Sequence, residues 1–125
     1  MMTPLELREA LKEKVAKWRP VLGLNDWKIG VKFNERQHMA TCTADPEYEQ
    51  ATLHFNVRRI RAEVPANQLD ELVVHELTHC LTWVVGDALP DDDKTAREKA
   101  DELLTTRVER SVIRAYQLGL RDASV

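Results

Sequence analysis

A chain of 125 residues, 43% hydrophobic and 31% charged, has the composition of a soluble globular protein and the length of one domain, residues 1–125. Its formal net charge of −3 leaves no basic footprint for sequence-independent nucleic-acid binding, so no nucleic-acid partner is expected. No apolar run approaches a membrane span, and the charged N-terminus MMTPLELREALKEK has no signal-like hydrophobic stretch; a cytoplasmic protein with no membrane partner is the expectation.

Thr3, Pro4 and Glu6 form a capping box with proline at the first helical position. Leu5, Leu7, Leu11, Val15 and Trp18 recur at near-helical spacing, which predicts a helix from Pro4 to Trp18 ended by Pro20 and Gly23. At Trp27 the period changes to two. Trp27, Ile29, Val31 and Phe33 alternate with polar residues or glycine as a half-buried strand. Met39–Thr43 reads as a weaker strand ended by the Asp45-Pro46 turn, and Ala51, Leu53 and Phe55 mark a third. Short connections between the three suggest an antiparallel meander. The basic residues between Arg58 and Arg61, offset by Glu63 and the acidic chain around it, read as a solvated loop face.

Pro65 and Asn67 open a helix through Leu69, Leu72, Val73, Leu77, Leu81 and Val84, with Gly86 as its natural stop. Asp87 to Asp93 reads as an acidic, solvated loop; its three consecutive aspartates lack the spacing of a calcium loop. Thr95 and Glu98 make a second capping box, and the last helix is expected to reach Leu118 before Gly119. Helix, three strands and two helices define an α+β fold. Two cysteines, Cys42 and Cys80, are too few for a disulfide framework and match no zinc-ribbon spacing. Both are expected to be reduced and buried, Cys80 pointing away from any ion held by His79.

The chemistry lies in His75-Glu76-Leu77-Thr78-His79, an HExxH motif within the strongest helical pattern of the chain. Residues four apart share one helical face, so both imidazoles can reach one ion. Glu76 follows the first ligand by one residue, about 100° around the helix, beside the ion rather than on it. The expected roles are His75 and His79 as zinc ligands and Glu76 as general base for a metal-activated water. Leu72, Val73, Val74, Leu77 and Leu81 flank both histidines with apolar surface, which demands a polar partner for them.

VVHELTH on a helix after a small sheet resembles the zincin metallopeptidases, and more narrowly the small phage- and prophage-encoded metallopeptidases of minimal zincin design. The segment Asp26-Trp27-Lys28-Ile29, the A-x-L-x-F of the third strand and the E-x-x-V-x-R of Glu109, Val112 and Arg114 carry the rest of the likeness, from about Leu24 to Tyr116. The resemblance implies an N-terminal helix, a three-stranded antiparallel sheet, an HExxH helix and a closing helix, acting on protein or peptide with one zinc ion.

No histidine follows His79, which excludes the metzincin arrangement. The likeness then implies a gluzincin-type third ligand from the last helix. The E-x-x-A-D form common among gluzincins is absent, since Glu98-Lys-Ala-Asp101 is one residue short. Glu98 is explained by its capping box and Asp101 has a short reach. Glu102 lies at the depth a simple helical hairpin would place opposite the histidines, but among polar neighbours. Glu109, bordering Val108, Val112 and Ile113, is the expected ligand, with Glu102 next. A substrate strand would pair with an edge strand, expected at Ala51–Asn56. Tyr116 and His54 are candidate oxyanion donors, each also readable as core, and Trp18, Trp27 and Trp83 read as core or partly buried anchors. Two other readings stay open: a metal-containing regulatory or binding protein, and a latent protease awaiting a partner.

Overall fold

The computed structural model describes residues 2–87 and 94–123, with side chains described for all of these except 84–87, 94, 97 and 120–123. Helix α1 (Pro4–Val21) starts as its capping box requires: the Thr3 hydroxyl accepts from the Glu6 amide, and the Glu6 carboxylate accepts from the Thr3 amide, both at 3.1 Å. Leu7, Leu11, Val15 and Trp18 form its buried stripe. The helix takes Pro20 into its last turn, then reverses at Gly23, whose φ of +72° suits a residue without a Cβ.

Strands β1 (Lys28–Phe33), β2 (Ala40–Asp45) and β3 (Gln50–Phe55) fall where the two-residue periodicity puts them, but they do not form a meander. The sheet order is β1-β3-β2, with β3 parallel to β1 and antiparallel to β2, so the sheet is mixed. The reason lies in the 34–39 connection. The Asn34 amide donates to the Phe55 carbonyl at 3.0 Å, the Asn56 amide to the Met39 carbonyl at 2.9 Å, and the Asn56 side-chain amide to the Arg36 carbonyl at 2.7 Å. These bonds carry the connection over the C-terminal end of β3, leaving a strand-wide gap that β3 fills. The tight turn at Pro46–Tyr48, closed by Glu49 at φ 50°, then returns the chain as an antiparallel hairpin. Ala51–Asn56 is therefore the central strand and not an edge; the edges are β1 and β2.

Arg58 and Arg61 lie on a short helix, α2 (Val57–Glu63), where a loop was expected. Asn56 caps it by accepting from the Arg59 amide at 3.1 Å, and Val57 and Ile60 anchor it in the core. Arg59 pairs with Glu63, while Arg58 and Arg61 line a groove with Arg8 and Phe33.

Helix α3 (Leu69–Asp87) runs one residue past Gly86 and buries Leu69, Val73, Val74, Leu77 and Cys80, although Leu81 is exposed. Asp70 in its first turn accepts from the Trp18 indole at 2.8 Å, Lys14 at 3.0 Å and Lys17 at 3.3 Å, tying α3 to α1. Helix α4 (Lys94–Ala123) already contains Lys94, which puts Thr95 inside the helix rather than at its cap, and it continues through Gly119. Asp87, expected to open the acidic loop, instead ends α3, and the rest of that loop, 88–93, lies outside the described residues. Val112, Ile113 and Tyr116 pack the second half of α4 on the core, and Tyr116 meets Trp18 at 4.7 Å between ring centroids. Among the described residues the architecture is α+β: four α-helices and a three-stranded mixed sheet. Among the described residues no helix is long and apolar enough to cross a membrane.

Candidate metal centre

Helix spacing and a helix crossing bring two imidazoles and three carboxylates together. His75 and His79, one turn apart on α3, present their rings at 5.1 Å between centroids, and α4 crosses them with Asp101, Glu102 and Glu109. The Glu102 carboxylate bridges the two rings: Oε2 lies 3.2 Å from His75 Nε2, and Oε1 lies 3.1 Å from His79 Nε2.

The other ring nitrogens are held from behind. His75 Nδ1 is 2.8 Å from Glu109 Oε1, and His79 Nδ1 is 3.1 Å from Asp101 Oδ2. Asp101 is itself fixed by the Thr82 hydroxyl, which donates to Oδ1 at 2.7 Å, and by the Thr105 hydroxyl at 3.3 Å. Thr82 and Thr105 are buried and share a 2.8 Å contact, so a small polar network holds the first half of α4 to α3. A carboxylate on Nδ1 keeps the proton there and leaves the Nε2 lone pair available.

Glu76 is buried, and its Oε2 has no hydrogen-bond partner among the described residues. Burial pushes its carboxyl up to about 7; His75 opposes the shift, and Glu102, Asp101 and Glu109 add to it. Cys42, Ala40, Thr41 and His38 from β2 and its approach face Glu76 and His79 across a groove of about 260 Å³, closed by Trp83, Asp101 and Glu102. The edge strand bordering the site is thus β2.

Whether this set suits a cation is decided by charge and spacing. Four carboxylates surround two imidazoles, an arrangement whose mutual repulsion a divalent ion relieves. A neutral imidazole lone pair cannot face a carboxylate oxygen at 3.1 to 3.2 Å unless a proton or a cation lies between them. Two donors on one tetrahedral zinc, each at about 2.0–2.1 Å, are about 3.3–3.4 Å apart, close to the observed separations. The grouping His75, Glu76 and His79 and the grouping His79, Asp101 and Glu102 each bring their donor atoms within 4.8 Å of one another. The residues fit a metal ion.

His75, Glu76 and His79 thus lie where the motif predicts. Glu109, the expected third ligand, lies on the far nitrogen of His75, and Glu102 lies between the two near ones. Asp101 gains a role on His79 Nδ1 that its short reach had seemed to deny. Tyr116 packs on Trp18, away from the groove. His54 is buried at 3.0 Å from the Asn34 side chain, with burial first and Arg36 and Lys32 next lowering its basicity; neither candidate oxyanion donor lines the groove. Sequence reading missed His38 and Cys42 as groove residues, because only the β2 edge position brings them there. Searches against protein-family models, curated proteins and solved structures return no match for this chain.

Proposed function

We propose that this chain is a zinc-dependent metallopeptidase, with His75, His79 and Glu102 holding the ion and Glu76 as the general base. The observation that carries the reading is the division of labour on each imidazole: Nε2 of both rings meets Glu102, while Nδ1 is backed by Glu109 or Asp101. Such a carboxylate–histidine arrangement orients ligands toward an ion. Glu109 then serves as a positioning residue and Glu102 as the third donor. Zinc, when bound, supplies Lewis acidity toward a carbonyl and toward water.

The remaining steps belong to the chain. Glu76, buried beside the donors with one oxygen unpartnered, takes a proton from the attacking water on Oε2 and returns it to the leaving amine. A carboxyl poised near neutrality suits both transfers. The outer edge of β2, unpaired among the described residues, offers backbone donors and acceptors along the groove, so an extended peptide adds there as a further strand. Thr82 and Thr105 keep Asp101, and through it His79, from swinging.

Glu76→Gln tests the assignment. The variant is expected to retain zinc, measured by metal analysis after gel filtration, while cleavage of a peptide library falls about 10²- to 10⁴-fold. Undiminished turnover sinks the role of Glu76. Zinc binding by wild-type protein without any cleavage favours the alternative, a metal-containing binding or regulatory module.

A further inference from the structure

Cys42 and Cys80 are separated by 37 residues in sequence and belong to different layers, yet their sulfurs lie 4.0 Å apart. Cys42 is half-buried on edge strand β2 and lines the groove; Cys80 is 1% exposed on α3, directly after His79. The arrangement has two properties that an incidental pair of core thiols lacks. One cysteine is half-buried and lines a solvent-accessible groove, while the other is buried against it. The two sulfurs also join the two walls of that groove. They are the only cysteines in the chain, so nothing else competes for either.

We propose that this pair is an oxidation site, at which a small peroxide converts the two thiols into a Cys42–Cys80 disulfide that pins β2 to α3. The sulfur of Cys42, the reachable one, displaces water from hydrogen peroxide: the O–O bond breaks, one oxygen becomes a sulfenic acid on Cys42, and one water leaves. Cys80 then attacks the Cys42 sulfur. The S–S bond forms, the S–O bond breaks, and the hydroxyl departs with the Cys80 proton as a second water. The two thiols together lose two electrons and two protons, and the peroxide is reduced to two waters. A contact of 4.0 Å must close to about 2.05 Å for the bridge to form. The inference stands on sulfur placement and access and does not depend on the protein's being a peptidase.

Peroxide treatment of the full chain, followed by thiol alkylation and peptide mapping, reads the outcome directly. Two alkylated cysteines are expected before treatment and none after, with a single monomeric species carrying a 42–80 cross-linked peptide and both labels restored by dithiothreitol. Closing so long a loop is expected to raise Tm on the order of 10 °C. Cys80→Ala is expected to stop at the sulfenic acid on Cys42, trapped by dimedone, whereas Cys42→Ala leaves the buried Cys80 unlabelled. Retention of both thiols, disulfide-linked dimers, or irreversible oxidation without the cross-link would each overturn the proposal. Equal trapping in the two variants would overturn the order of attack.

Discussion

Replacing Glu102 and Glu109 separately by glutamine distinguishes a ligand from the residue that steadies one. Glu109 meets His75 at Nδ1, 2.8 Å away, and its side chain is 15% exposed. Glutamine keeps an amide oxygen able to accept from Nδ1–H, so the ring keeps its tautomer but loses the carboxylate charge behind it. Loss of such an outer partner costs about 10- to 100-fold in metal affinity, or about 1.4–2.7 kcal/mol. Glu102 meets both Nε2 atoms, at 3.2 and 3.1 Å, and glutamine there removes the one carboxylate that both rings share among the described residues. Glu102→Gln is therefore expected to exceed the ~100-fold ceiling of an outer partner. Zinc Kd values from competition with a chromophoric chelator, at a pH where both imidazoles are neutral, give the ranking. A larger loss in Glu109→Gln than in Glu102→Gln refutes the reasoning and returns Glu109 to the ion.

Acid stability follows from Asp70. Burial favours its neutral form, but the Trp18 indole, Lys14 and Lys17 outweigh it and hold the carboxyl below its ordinary value. A depressed folded pKa gives stability that is present above the unfolded value, about 3.9, and is lost as pH falls through the folded one. Urea midpoints from pH 6 to pH 3 should therefore show a shallower acid decline in Asp70→Asn, which is also less stable at pH 6 by about 1 kcal/mol; parallel declines contradict this linkage. Leu53, fully buried on the central strand, is expected to cost about 2–5 kcal/mol when cut to alanine, and a urea midpoint within error of wild type would place the core elsewhere.

Strand periodicity at Trp27–Phe33 and Ala51–Phe55, the Thr3–Glu6 box and the stacked histidines of HExxH were legible because each is a local pattern. Pairing order was not, since a strand's own alternation says which side is buried and nothing about its neighbour; the deciding bonds involve Asn34, Arg36, Met39 and Asn56, none of which carries a strand signal. Helix α2 was missed for a related reason. Val57 and Ile60 are too few to register a helical stripe, and only Asn56 marks its start. Which acid on α4 meets which ring nitrogen was not legible at all. Glu109 borders apolar surface as its neighbours suggest, but which ring nitrogen it meets depends on how α4 crosses α3. The acid nearest both Nε2 atoms has a side chain 58% exposed, so a burial argument points away from it.

The strand order also dictates when the sheet can exist. β1 and β2 come first in the chain but share no hydrogen bonds; each waits for β3, which must slide between them with its register set on both sides at once. A nascent chain ending before Gln50 therefore carries two strands with nothing to pair, and the first productive closure is the local β2–β3 hairpin. Docking of β1 onto that hairpin, with α1 attached, is the long-range step and the natural place for the folding barrier. Because β2 is also the groove wall, the half of the sheet that forms earliest is the half that borders the candidate metal centre.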